Sequence, residues 1–375
     1  MPYSRNPSLH QPDYLLLIYF GILLVFGLAM LASASAPVGY AKFGDSYFFI
    51  KRQLLFGVLP GLVLFLVFAK FQYRLLLQLD WLIFLGCIAV LLAVFIPGLG
   101  SNLGTAATSW LVIGPLSVQP AEAVKLGLII FLASYLAKKG SQLQSFQEGL
   151  LPALILAGAL IFLVLLQPDV GTATILFSIV FGMLFASEAK LSHLTGLAIL
   201  GLIGFGIMVA VAPYRIARFT TFLHPELDPQ GIGYQINQAF MAIGSGGVFG
   251  LGFGHSQQKF QYLPEVHADS IFAIIGEEMG FVVSAGLIVL LILISKRITQ
   301  NARSVPDKAG QLLLVGIMIW FMTQSLFNIG AMVGVLPLTG VPLPFVSHGG
   351  TALLVALSAV GIVVNVSKQT VRYVP

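Results

Sequence analysis

Ten apolar runs recur along the chain, most of them close to the roughly 20 residues that a helix needs to cross the hydrocarbon layer of a membrane. They lie near 14–36, 53–69, 80–97, 120–137, 150–166, 171–187, 190–212, 269–295, 309–335 and 347–367. A water-soluble core has no room for so much apolar surface: 58% of the 375 residues are hydrophobic and 9% are charged, against about 25% charged in an ordinary soluble domain. The expected fold is all-α, a polytopic integral membrane protein. It forms one ten-helix transmembrane domain over 1–375, with a large extracytoplasmic loop at about 213–268.

An even number of spans puts both termini on one side, and the balance of lysine and arginine says which side that is. Twelve basic residues fall on the termini side: Arg5, Lys70, Arg74, Lys138, Lys139, Lys190, Lys296, Arg297, Arg303, Lys308, Lys368 and Arg372. Six fall on the other: Lys42, Lys51, Arg52, Arg215, Arg218 and Lys259, with Lys125 inside a span. The termini are therefore expected in the cytoplasm. The net charge of +5 then reports topology and contact with anionic lipid, not nucleic acid. The first run follows Arg5 and ends in "ASASA", like a signal-peptide cleavage site, but at more than twenty residues it reads as a retained anchor. Cys87 is the single cysteine, which excludes an intrachain disulfide and a thiolate metal site.

Longer loops at 37–52, 98–119 and 213–268 all fall on the outer face in this topology, where function is expected to gather. Polar groups inside the spans are few and costly. Glu122 and Lys125 are three apart and can pair on one helix face, either as an internal tie between helices or as the border of a polar cavity. "QPAE" at 119–122 and "QPDVGT" at 167–172 place proline and a carboxylate at the start of a span, as helix capping does. Arg215, Arg218 and Lys259 put positive charge near the membrane surface, suited to an anionic lipid-linked substrate or to lipid headgroups.

Six glycines, Gly244, Gly246, Gly247, Gly250, Gly252 and Gly254, crowd eleven positions. Without a GK[ST] ending or a strand they read as a flexible or re-entrant loop and not as a nucleotide site. In "YLPEVHADSIFAIIGEEMGF", Asp269 stands at a helix mouth beside His267 and Glu265, where it is a helix cap or a carboxylate tuned towards a general base. Glu277 lies about two turns deeper, and Glu278 nearly opposite it. "LPLTGVPLPFVSHGG" at 336–350 is stiffened by prolines, a rigid turn or one wall of a groove.

Together these segments resemble the SEDS family (shape, elongation, division and sporulation), the FtsW and RodA group of bacterial cell-wall polymerases. "SYFFIKRQL", "GPLSVQPAEAVK", "QPDVGTA", "DPQGIGYQINQAFMAIGSGG", "LPEVHADSIFAIIGEEMG" and "LPLTGVPLPFVSHGG" occur in the family's order, and "GHSQQKFQYLPE" resembles the FtsW branch. The resemblance implies ten transmembrane helices in the bacterial plasma membrane. It also implies an inverting peptidoglycan glycosyltransferase that polymerises lipid II on the outer face, with a class B penicillin-binding protein and the division machinery as partners. By it Asp269 matches the family's essential aspartate, Glu122 and Lys125 its buried ion pair, and Ser347, Gly349 and Gly350 its near-final signature. Substrate contacts are then expected from Arg215, Arg218, Lys259, Glu265, His267, Ser347, Gly349 and Gly350.

Two departures stand out. Thr108 and Ser109 precede Trp110 where the family has arginine before the tryptophan, and His348 replaces the tyrosine of its "SYGG". A lipid-pyrophosphate leaving group needs charge neutralisation more than an acid, from Arg, Lys or a divalent cation such as Mg or Mn. No nucleotide or organic cofactor is expected. The alternatives are a lipid II flippase, a RodA-type elongation polymerase and a scaffold that activates its penicillin-binding partner.

Overall fold

The computed structural model describes residues 11–102, 108–114, 116–211, 213–228 and 231–369. Arg5, Arg372 and parts of the 98–119 and 213–268 loops lie outside the described residues. In chain order the helices are α1 (Tyr14–Phe43), α2 (Phe48–Gln53), α3 (Leu59–Lys70), α4 (Tyr73–Gln78), α5 (Asp80–Ala93), α6 (Pro120–Lys139) and α7 (Leu151–Leu166). They continue with α8 (Val170–Ala186), α9 (Leu191–Val211), α10 (Pro213–Leu223), α11 (Ile232–Gly246), α12 (Ile271–Ser304), α13 (Lys308–Met332) and α14 (Gly350–Ser367). A π-helical turn at Leu54–Val58 joins α2 to α3. Eight helical stretches among the described residues are long and apolar enough to cross a membrane, and α5 and α8 are shorter apolar helices. Each of the ten expected runs overlaps one of these helices.

The helix starts are set by local chemistry. Asp13 accepts from the Leu16 amide at 3.3 Å, Asp169 from the Thr172 amide at 3.0 Å and Asp307 from the Gly310 amide at 2.8 Å, each satisfying a donor that the first turn leaves open. At the centre is α6, whose Val124, Leu128, Ile129, Phe131 and Leu132 are fully buried. It packs on α5, α8, α13 and α14, while α1 lies along α12 and α3 along α14. On the rim is α9, where only Leu194 is buried.

Three elements differ from expectation. The 37–52 loop is mostly helical, because α1 runs on to Gly44, which ends it in the left-handed conformation at φ 70°. The small and polar residues of "ASASA" face the bundle, with Ser33, Ala34 and Ser35 buried, so they do not mark an end. The 213–268 loop holds α10 and α11. The long α12 is broken at Gly280, with φ 73° and ψ −175°. Between α5 and α6 lies a small antiparallel sheet, β1 (Gly100–Ser101), β2 (Trp110–Ile113) and β3 (Leu116–Val118), in that order, with Leu111 opposite Gly100 and Val118.

Candidate active site

Three segments meet around Asp269: the 262–270 loop ahead of α12, the 336–349 segment ahead of α14, and α2. Gln53 on α2 is buried and spends both ends of its amide on the second segment. Its Nε2 donates to the Ser347 carbonyl at 3.3 Å and its Oε1 accepts from the Gly349 amide at 2.9 Å. Ser347 in turn donates through Oγ to the Ala268 carbonyl at 2.5 Å and accepts from the Leu343 amide at 2.8 Å. The His348 amide donates to the His267 carbonyl at 2.7 Å. Asn328 on α13 completes the frame, its Nδ2 donating to the carbonyls of Asp269 at 2.8 Å and Val341 at 2.9 Å. Because a buried carbonyl left without a donor costs about 1–3 kcal/mol, these bonds fix the backbone on both sides of Asp269.

The Asp269 carboxylate is not spent on the helix end. Ser270 occupies the cap position of α12 and makes no side-chain cap, and Asp269 Oδ1 is buried with no hydrogen-bond partner. Burial pushes its pKa up to about 6, helped by the negative charge of Glu265 and opposed by Arg218 and a hydrogen bond from Gln235. A carboxylate in that range is a competent base near neutral pH. Glu265 is exposed and holds a left-handed backbone at φ 50°, a conformation that side chains rarely adopt and that strains the turn.

Beside Asp269 the rings of His267 and His348 flank Phe49, with centroids 4.1 and 5.1 Å from it. Burial pushes the His348 pKa down to about 3, helped by His267 and Arg52, and burial also lowers that of His267 despite Glu265 at 3.9 Å. Both imidazoles are thus neutral in this apolar setting.

The expected cations separate. Arg218 is exposed on α10 and its charge is felt at Asp269. Arg215 is half-buried and donates to the Met208 carbonyl at 3.0 Å. Lys259, expected on the surface, is 4% exposed, with Nζ held by Glu278 and the Gly254 carbonyl, both at 2.7 Å, and by Ser33 at 3.1 Å. Its charge serves the loop and does not face the mouth. Gly350 opens α14 where the backbone of Phe56 approaches closely. Thr108 is exposed and Ser109 buried at the head of β2.

Deeper in the bundle, Lys125 Nζ lies 2.8 Å from Glu122 Oε1 and 2.7 Å from Gln324 Oε1, and 5.1 Å from the Trp320 ring. Gln324 also donates to the Pro342 carbonyl at 2.8 Å. Glu122 Oε2 has no partner, and a small cavity of about 10 Å³ touches both Glu122 and Ser347. The pair therefore borders a small, mostly apolar cavity whose wall includes Ser347 of the segment ahead of α14. Sequence reasoning missed Gln53, Gln324 and Asn328. The signal was there in "WFMTQSLFN", where Trp320, Gln324 and Asn328 recur every four residues and so share one face of an apolar helix. Among the described residues no three His, Cys, Asp or Glu side chains cluster as metal ligands.

The comparisons agree with this architecture. The chain is 41% identical to stage V sporulation protein E of Bacillus subtilis, covering 97% of this chain and 98% of that one. It is 36% identical to a probable peptidoglycan glycosyltransferase FtsW of Geobacter sp. over 95% of this chain and 97% of its relative. Among solved structures, a chain from a peptidoglycan synthase complex that coordinates polymerization and crosslinking matches with TM-score 0.78 and 27% identity, covering 95% of this chain and 97% of that chain. The rod shape determining protein RodA of Thermus thermophilus matches with TM-score 0.71 and 26% identity, over 96% of this chain and 98% of its own. Residues 14–372 match the FtsW, RodA and SpoVE family, described as "Cell cycle protein", and the chain belongs to that family.

Proposed function

We propose that the protein is a peptidoglycan glycosyltransferase that joins lipid II units into glycan strands at the outer face of the plasma membrane, with Asp269 as the general base. The observation that carries this reading is the Asp269 carboxylate: half-buried, with an unpartnered Oδ1 and a pKa of about 6, on a backbone held from three sides. The names of the FtsW relatives support it. In the proposed step Asp269 takes the proton from the 4-hydroxyl of the acceptor GlcNAc. That oxygen attacks the anomeric carbon of the donor sugar from the face opposite its leaving group. The carbon–oxygen bond to the lipid pyrophosphate breaks, and the pyrophosphate leaves with the electron pair. Configuration at the anomeric carbon inverts.

The leaving group is already a stable anion, so one carboxylate suffices where glycoside hydrolysis needs two. What remains is to neutralise charge, and the exposed Arg218 on α10, whose charge reaches Asp269, would supply it. A divalent cation would add to this neutralisation. Magnesium ions are held by one or two carboxylates together with substrate phosphates, and the exposed Glu265 fits such a ligand. Ten spans with cytoplasmic termini would put the mouth outside the cell, where lipid-linked precursor would be used. The solved relative in a synthase complex supports a partner of the class B penicillin-binding type. The FtsW relatives suggest division, the sporulation relative a developmental use of the same chemistry.

A flippase would need a polar path through the bundle. Below Lys125, α6 fills the centre with the buried Leu128, Ile129, Phe131 and Leu132, which favours surface chemistry over passage. The test is polymerisation of labelled lipid II by the purified protein with its partner and a divalent cation, comparing wild type with Asp269→Asn at equal folded protein. Long strands from wild type alone are expected. Strands from both would remove Asp269 as base, and strands from neither would turn the reading towards transport or scaffolding.

A further inference from the structure

The break in α12 at Gly280 leaves backbone groups on both sides without helical partners, and the glycine segment takes them up. The Phe281 amide donates to the Gly247 carbonyl at 2.9 Å and the Val282 amide to the Val248 carbonyl at 3.2 Å. In return the Leu251 and Gly252 amides donate to the carbonyls of Glu277 and Glu278, both at 2.9 Å. The two backbones meet so closely that a Cβ on Gly250 would collide with the Glu278 carbonyl, and one on Gly280 with the Gly250 amide. The returning limb is pinned by buried carboxylates. Glu277 accepts from Ser256 Oγ at 2.5 Å and the Gln257 amide at 2.9 Å, and Glu278 from Ser33, Lys259 and the Gly254 amide.

The depth of this contact follows from helix geometry. The exposed Lys296 on α12 marks the end of the hydrocarbon on its side, since an ammonium seeks the interface. Phe281 stands fifteen residues earlier, about 22 Å along the axis at 1.5 Å per residue. The hydrocarbon layer is about 30 Å thick. Phe281, and the Gly247–Val248 backbone bonded beside it, therefore fall about 8 Å inside the opposite boundary. Irregular backbone is costly at that depth unless its polar groups are satisfied, and the cross-bonds to the α12 break satisfy the Gly247 and Val248 carbonyls and the Leu251 and Gly252 amides. From Gly231 to Gly254 the sequence carries no charged residue. The side chains the segment turns outward are apolar: Val248, Phe249 (84% exposed), Leu251 and Phe253. They continue the outward apolar face that Phe281, Val282, Val289 and Ile292 form on α12.

We propose that residues 247–253 form a re-entrant wedge whose Val248, Phe249, Leu251 and Phe253 are seated among the acyl chains of the membrane leaflet on the Asp269 side. The occupant is bulk lipid, because the patch is uncharged, is continuous with the exposed apolar face of α12 and ties four of its backbone groups to the α12 break. The wedge sets the depth from which the 254–269 limb rises to the mouth.

The test places a nitroxide at Phe249→Cys in the full chain carrying Cys87→Ala, in phosphatidylcholine–phosphatidylglycerol nanodiscs with no other protein. Collisions with oxygen and with a water-soluble nickel chelate are read, with labels at Val289→Cys and Tyr262→Cys as references. The expected oxygen-to-nickel ratio at 249 is close to that at 289 and severalfold above that at 262. Val248→Cys provides a second reading if the first variant folds poorly. A ratio equal to that at 262 overturns the proposal. So does a severalfold loss of oxygen access when a class B penicillin-binding protein or a polyprenyl pyrophosphate is added, since the patch would then be the seat of that partner or tail.

Discussion

At the scale of single residues, Asp269 joins chemistry to a cost in stability. If Asp269 is the proposed base, the ionised form is the active one, and initial rates are then expected to fall as pH drops through about 6. Glu265 raises that pKa and Arg218 lowers it. Glu265→Gln should therefore move the acid limb to lower pH, and Arg218→Ala should move it higher. A pH–rate series on the three proteins checks both signs. The folded pKa of about 6 lies above the ordinary 3.8, so the favourable contribution of the protonated group is complete below 3.8 and is lost as pH rises through 6. Asp269→Asn should then melt no lower than wild type at pH 7.5 while losing polymerisation, which thermal unfolding in detergent would read. Removing a frame residue should do the reverse: Asn328→Ala leaves two buried carbonyls without donors, at about 1–3 kcal/mol, and should lower both melting temperature and rate. In the sequence Asp269 could be singled out as a cap or a base. Asn328 could be placed on one polar helix face with Gln324, but its partners could not be read, and Gln53 could not be singled out at all, because its partners are backbone groups of Ser347 and Gly349 far along the chain; Lys259 was misplaced because nothing local says that Glu278 and Ser33 surround it.

At the scale of elements, apolar length placed the helices well, since hydropathy is a local property of a run. It did not place the break in α12, because Gly280 is one of many glycines and its left-handed backbone is demanded by the distant Gly247–Gly252 segment. Nor did it separate the two glutamates by task, which became visible only as hydrogen bonds to the 254–259 limb. Lys259 and Glu278 are 2.7 Å apart with side chains 5% and 0% exposed. Removing one partner of such a buried pair strands a charge, at about 3–5 kcal/mol, whereas replacing both can be nearly neutral. Lys259→Met should therefore cost more than the double variant Lys259→Met with Glu278→Gln. Thermal unfolding and hydrogen exchange over 246–259 would measure this, with faster exchange in the single variant and partial recovery in the double. Equal losses in both would mean that the pair matters for packing and not for charge.

At the scale of the whole molecule, the charge pattern that sets orientation also ties one end of the bundle together. Asp13 holds Arg297 at 2.6 Å and Asn301 at 2.9 Å, joining the start of α1 to α12. Asp80 holds Lys138 and Ser134, joining α5 to α6, and Asp307 bonds Tyr73, joining α13 to α4. Each carboxylate here answers basic residues on the side richer in lysine and arginine, while the Asp269 mouth lies at the other end of α12. Orientation and active face are thus a single prediction, because an asymmetry that keeps this end in the cytoplasm would also present Asp269 outside. Alkaline phosphatase inserted after Asp228 should be active, and a fluorescent protein inserted in 140–144 should fluoresce, as should one following the C-terminus. The mirror pattern would put Asp269 in the cytoplasm, and polymerisation at the outer face would then be untenable whatever the purified protein does with lipid II.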